Sequence, residues 1–427
     1  MAGGTRFRER PLIEVWALAS FRGGVFLSQG SAQAILSSAT PEERILVACA
    51  RVELGEPHRA AIRDALPARV DWERFLAAAS YHELQPLCFR HLSRLSVERC
   101  PAAVLGALEA DSRHISLRNL GLAAELTALL ALFRSHGIRP TSVKGPVAAV
   151  AYYGDLGLRN FLDLDVLVPR SEAHRAWDLL AKRGYAPKIP LEPDWRAVQV
   201  RRGSEELFRR GESGPLVDLH WDLWAPGYTF TPSPEGLWAR REAVTVGSTE
   251  VETLAPEAMV LFFCLHGIKH NWMSLKWACD LSELLRSRPS VDWSAVMTWS
   301  EPPGPRLLVD LGLSLCHRLL GAPVPAEVLA RGSTDPRVST LTEEAIRGML
   351  GFDDPLPSLW REIRDALYCR AMERRRDRLR YLHDALLAPT PHEWKLVPLP
   401  AAFAPLYYGV RPLRLAWKHA PWRKAAR

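Results

Sequence analysis

Apolar positions keep a helical spacing towards both ends of the chain and a two-residue alternation in the middle. Thr40-Pro41-Glu42-Glu43 offers an N-cap hydroxyl, a proline suited to a first helical position and acids for the first turn, ahead of Ile45, Leu46, Cys49 and Val52. Asp71-Trp72-Glu73-Arg74 opens a second helix that turns Phe75, Leu76 and Ala79 inward. His82, in the join that follows, reads as a structural histidine at a helix end. A longer helix over residues 117–136 stops at Gly137-Ile138-Arg139-Pro140.

The period then changes. Thr141-Ser142-Val143 is a short strand aimed at Lys144, and Gly145 opens a helix there. An alternating run ending at Val168 carries Asp163 and Asp165, which a strand turns to one face. Ser171-Glu172-Ala173-His174 caps a helix that ends at Gly184, and residues 198–209 and 216–224 read as strands joined by a Gly211-Glu212-Ser213-Gly214 turn. Helices dominate again from Pro256, broken by proline-rich loops at 302–305 and 353–359. The predicted class is α+β, with a small mixed sheet in residues 116–254 between helical regions 1–115 and 255–427.

Composition narrows this only a little. The chain has 427 residues, 48% of them hydrophobic and 24% charged, enough for a sizeable core. A net charge of +7 suits nucleoside triphosphates, RNA or an anionic surface and selects none of them. Lysine is scarce, 8 against 47 arginines, so a lysine beside a glycine stands out. Seven cysteines, an odd number with no C-x-x-C pair, predict neither a disulfide framework nor a zinc site and fit a reducing cytoplasm. Arg6, Arg8 and Arg10 precede a short apolar stretch that contains Glu14, so no secretory signal is expected. The longest uncharged apolar run, 258–265, is too short to span a bilayer. The tail 411–427 holds six Lys or Arg and no acid, and is expected to dock through Leu413, Leu415, Trp417 and Trp422 with its charges outside.

Two carboxylates on one strand face repel each other and cost desolvation, which a divalent cation between them would relieve. Gly145 lets the backbone approach a ligand closely, and a helix starting there aims free N–H groups at a phosphate. A second cluster, Asp218, His220 and Asp222, alternates with Val217, Leu219 and Trp221, giving a polar strand face that can meet the Asp163/Asp165 face. Three carboxylates can hold two Mg²⁺ (or Mn²⁺) ions. Such a hard cation prefers carboxylate oxygen, so Asp218 rather than His220 is expected as the third member. Arg159 is either a ligand for a nucleotide or the counter-charge of Asp163 or Asp165. His266 and His270, four apart on a helix, are candidates to line a cleft; no Glu follows His266, so the zinc-protease pattern is absent.

Lys144-Gly145, the spacer with Tyr152-Tyr153 and Arg159, Asp163-Leu164-Asp165 and Val217-Asp218-Leu219-His220-Trp221 together resemble the uncharacterised nucleotidyltransferase family of bacteria, within the polymerase-beta-like superfamily. Ser80-Tyr81-His82, His266, His270-Asn271-Trp272, Trp277 and Asp280 extend the resemblance over most of residues 40–290. It implies a nucleotidyltransferase core that moves a nucleoside monophosphate from an NTP to an acceptor with release of pyrophosphate. It implies Asp163, Asp165 and Asp218 as catalytic, metal-binding carboxylates, with Lys144, Gly145, Arg159 and His220 as nucleotide-binding candidates. Lys-Gly stands where the superfamily usually has Gly-Ser, and a whole helix must fit between Gly145 and Asp163. The acceptor is left open between a small molecule, a peptide and a protein, with nucleic acid not favoured. Two further readings stand beside this one: a non-catalytic nucleotide- or RNA-binding module, and a toxin/antitoxin-type enzyme modifying protein or tRNA.

Overall fold

The computed structural model describes residues 32–95, 100–223, 236, 238–301, 305–351, 367 and 369–418. The centre is a five-stranded mixed sheet of β1 (Thr141–Ser142), β2 (Asp163–Leu167), β3 (Tyr185–Pro187), β4 (Glu205–Arg210) and β5 (Leu216–His220), in the order β1-β2-β5-β4-β3. β2 and β5 are parallel, and their register sets Asp165 opposite Asp218. β4 runs antiparallel to β5 and sets Glu205 opposite His220. Strand alternation does the rest. Leu164, Val166, Phe208, Val217 and Leu219 turn to one face and are fully buried. There they join Leu130 and Phe133 of the long helix and Trp177 and Leu180 of the helix Ala173–Lys182 in one core. The carboxylates are left on the opposite face.

A second and larger core unites the two ends of the chain. Ile45 and Leu46 of the helix Pro41–Cys49, Phe75 of the helix Trp72–Tyr81 and Leu87 of the helix Gln85–Arg94 pack with Leu261 and Leu265 of the helix Pro256–Lys269 and with Leu311 and Leu315 of the helix Arg306–Leu320. His82 is part of this junction: its Nδ1 accepts the Leu275 N–H at 3.1 Å, and the residue is 1% exposed. The helix Ala102–Ser135 bridges the cores, giving Val104 and Leu108 to the helical one and Leu122 to Phe133 to the sheet. By length and composition alone it could cross a bilayer; 44% of its most apolar window is buried here, with Leu126, Leu129, Leu130 and Phe133 in the core and Leu117 and Leu120 exposed.

Three local expectations are corrected. Residues 198–209 are not one strand: Pro193–Arg202 is a helix that ends at Gly203, and only Glu205–Arg210 is strand. The proline suits its first turn, and Trp195 and Val198, three apart, face Trp394 and Tyr407. A hairpin of β6 (Arg241–Val246) and β7 (Thr249–Leu254), turning at Gly247 with φ of +63°, was not read from the sequence. The tail is arranged differently from expectation. Arg411 is the buried residue, paired with Glu393, while Leu413 and Trp417 are exposed and only Leu415 packs inward. Trp224, Trp422 and the loop 353–359 fall outside the described residues.

Candidate active site

Lys144, two residues beyond β1, is the N-cap of the helix Gly145–Tyr153, where Gly145 has φ of +59°. A side chain there would adopt a strained left-handed backbone and meet the Asp163 carbonyl oxygen at 3.4 Å, so glycine fits for a physical reason. The spacer that follows is pinned by Asn119 of the long helix, whose Nδ2 donates to the carbonyls of Leu156 and Arg159 at 2.7 and 2.8 Å. β2 then delivers Asp163 and Asp165 to the polar face of the sheet.

Asp165 is the hub. Its Oδ1 takes Lys144 Nζ at 2.7 Å and His220 Nε2 at 3.2 Å, and the residue is 1% exposed. His220 Nε2 also lies 3.4 Å from Asp218 Oδ2, and its Nδ1 lies 3.2 Å from Glu205 Oε2. Lys269 Nζ closes the array on Glu205 at 3.0 Å. Asp165, Asp218 and His220 each offer a ligand atom within 4.8 Å of the others. Asp163 shares the strand face but is not part of that group of three.

The charges sort accordingly. Burial opposes ionisation of Asp165, but Lys144 and His220 outweigh it and hold the carboxyl well below its usual range. Burial opposes the charged form of His220 as well, yet Asp218, Asp165 and Glu205 raise it to about 10, so it is an imidazolium at neutral pH. Asp218 is pushed up to about 7 by burial, with Glu205, Asp165 and Asp163 adding to the effect against His220. Asp163 is raised by burial and by Asp165.

A divalent cation fits this donor set on one observation in particular: Asp218 Oδ1 is buried with no hydrogen-bond partner. An acceptor oxygen left so, beside the Asp165 carboxylate, is a place a hard cation would fill.

The other candidates are placed as follows. Arg159 is in neither expected position. It is 4% exposed and grips Asp280 with Nε at 2.7 Å and Nη2 at 2.8 Å, while Tyr153 Oη donates to the same carboxylate at 2.7 Å. The guanidinium therefore fastens the spacer and the Gly145–Tyr153 helix to the helix Leu275–Ser287. His266 and His270 lie ring to ring at 4.6 Å; His266 stacks on Phe262 at 5.7 Å and His270 on Trp277 at 4.8 Å. Phe262 in turn carries Lys144 Nζ over its ring at 5.8 Å, so this aromatic wall begins at the carboxylate array. Asp222 is drawn off to Arg170 at 2.8 Å. Trp272 is core, 0% exposed. Glu205 and Lys269 were missed by sequence reasoning. Only the β4–β5 register reveals Glu205, and no local motif marks either.

The sequence model of a family described as uncharacterised nucleotidyltransferase matches residues 68–321. None of the curated proteins compared matches the chain. Among solved structures, an antigenic nucleotidyltransferase-like protein from Paracoccidioides brasiliensis is similar at 14% identity and a TM-score of 0.30, over 49% of this chain and 96% of that one. The family match covers more than half of the chain, including every carboxylate of the array: the chain belongs to the uncharacterised nucleotidyltransferase family.

Proposed function

We propose that this nucleotidyltransferase moves a nucleoside monophosphate from an NTP to an acceptor in a reaction that depends on Mg²⁺ or Mn²⁺. The observation that carries the reading is the register of β2 and β5, which sets Asp165 beside Asp218 and leaves Asp218 Oδ1 buried and unpartnered. Asp165 and Asp218, with Asp163 on the same face, would hold the metal. Bound there, it would neutralise phosphate charge and favour the deprotonated acceptor. Lys144 would leave Asp165 for the β- and γ-phosphates, and the Gly145 and Val147 amides at the helix start would join it, since Pro146 has no N–H. The acceptor oxygen forms a bond to the α-phosphorus, the bond from that phosphorus to the bridging oxygen breaks, and pyrophosphate leaves with the electron pair. The acceptor proton passes to a carboxylate of the array or to water. Arg159 has no part in this scheme except to hold the spacer.

The test separates binding from turnover. NTP affinity with Mg²⁺ is measured by calorimetry, and pyrophosphate release is followed with cell extract as the acceptor source. Asp218→Asn is expected to keep NTP binding and lose about a hundredfold or more in release, while His220→Ala costs less. Normal turnover by Asp218→Asn with a dead His220→Ala would assign the chemistry to the histidine. Mg²⁺-dependent NTP binding with no release from any extract would favour the non-catalytic module.

A further inference from the structure

The positive charge of this protein is not spread over it. Residues 370–427 carry 13 Lys or Arg against four Asp or Glu, a balance of +9, whereas the whole chain is +7. The remainder, which includes the candidate active site, is slightly acidic. The exposed apolar surface is concentrated in the same place. Of the large apolar side chains exposed among the described residues, most lie in residues 369–418, Leu379, Leu396, Phe403, Leu406, Leu413 and Trp417 among them.

The last described helix, Tyr407–Lys418, shows how this comes about. Tyr407, Arg411 and Leu415, at successive turns, form its buried face. Arg411 lies 3.4 Å from Glu393, which also takes Arg414, and Glu393 is itself 0% exposed. The opposite face carries Leu413 and Trp417, one turn apart and 72% and 59% exposed, in line with Leu406 before them. The helix thus holds a guanidinium inside and aims leucine and tryptophan at solvent. It is not a loose end: Trp195 stacks on Trp394 at 4.6 Å and meets Tyr407 edge-on at 5.2 Å, and its Nε1 donates to the Leu399 carbonyl at 3.1 Å.

Within residues 370–418 ten Lys or Arg stand against four acids; Arg411 and Arg414 are taken up by Glu393, while Arg375, Arg376, Arg380 and Lys395 are exposed, close in the chain to the exposed Leu379 and Leu396. A surface that combines exposed apolar side chains with such cations has few suitable partners. A second copy brings the same excess charge, and the two would repel. A nucleic acid would take the cations but leave the aliphatic side chains in water. The interface of an anionic bilayer satisfies both, with apolar side chains at the acyl boundary and Arg and Lys among the headgroups. We propose that residues 370–418 form a docking surface for an anionic lipid bilayer.

The full-length protein is co-sedimented with phosphatidylcholine vesicles and with vesicles containing phosphatidylglycerol, over a range of salt. Binding is expected to the anionic vesicles alone and to weaken as salt rises. Leu406→Ser with Leu413→Ser changes two exposed side chains, so circular dichroism should match wild type while vesicle affinity falls about tenfold or more. Vesicle binding by that double variant equal to wild type overturns the proposal, as does absence of binding to anionic vesicles at low salt. Retention of RNA or duplex DNA by both proteins, with no vesicle binding, assigns the surface to nucleic acid instead.

Discussion

Asp163 and Asp165 stand two apart on one strand face, and their surroundings give them opposite characters. Asp165 is the carboxylate on which the Lys144 ammonium and the His220 imidazolium both converge, while Asp163 is raised by burial and by its neighbour's charge. Removing the charge of Asp165 leaves two largely buried cations without it, so Asp165→Asn is expected to destabilise the metal-free protein by about 3–5 kcal/mol. Asp163→Asn removes a like charge and should leave the melting temperature unchanged or raise it. Thermal unfolding of the two variants in chelator decides; equal losses would show that the carboxylates share the cations. The alternation of the sequence was enough to put both on one face. It could not say which one the cations choose, because that depends on where Lys144 and His220 reach across from β1 and β5. Arg159 illustrates the same limit: its carboxylate partner, Asp280, is 121 residues away in the chain.

At the scale of elements, the strongest local signals were read correctly and the weaker ones were overridden by packing. Thr40 caps the helix Pro41–Cys49 with Pro41 in its first turn, and a helix does start at Gly145. Residues 198–202 read as the start of a strand, yet they end the helix Pro193–Arg202, whose Trp195 and Val198 find their partners in Trp394 and Tyr407, which no local window contains. The turn after the helix Pro256–Lys269 depends on such a fit. Asn271 and Trp272 have φ of +53° and +49°, and a β-carbon added at Gly267 would lie 2.5 Å from the Trp272 ring. Gly267→Ala should therefore cost about 1–3 kcal/mol, measured by urea unfolding, whereas Gly348→Ala, in the helix Pro336–Leu350 with nothing within 4 Å, should gain about 0.5–1 kcal/mol. His82 gives the same junction a pH dependence. Burial lowers its pKa to about 3, so its neutral form stabilises the fold fully above the unfolded value near 6.5. That contribution is lost as pH falls towards 3, by at most about 1.4 kcal/mol per unit. Urea unfolding of wild type and His82→Gln between about pH 5 and 8 should show the steeper acid loss in wild type.

For the molecule as a whole, the cores run across the ends of the chain. The first and last regions share one hydrophobic interior, and the helix Ala102–Ser135 carries it into the sheet. A fragment covering residues 116–427 lacks the side chains from Ile45 to Leu108 that fill this interior, and should be insoluble or bind a hydrophobic dye strongly when expressed alone. Co-expression with residues 1–115 should restore some soluble material; a monomeric, cooperatively melting 116–427 fragment would contradict the shared core. Sequence periodicity marked the faces of these helices but carried no information on which distant face each would meet. The shared interior also sets a clock for synthesis. The helices of residues 41–94 leave the ribosome roughly 150 residues before the segment Pro256–Lys269 that covers them, a wait on the order of ten seconds at ordinary elongation rates. Throughout that interval Ile45, Phe75 and Leu87 have one another and Val104 and Leu108 to pack on, but not Leu261, Leu265, Leu311 or Leu315, which complete the core. A nascent chain of this family is thus a long-lived client for whatever shelters exposed apolar helices, and slowing its translation should lower the yield of folded protein rather than raise it.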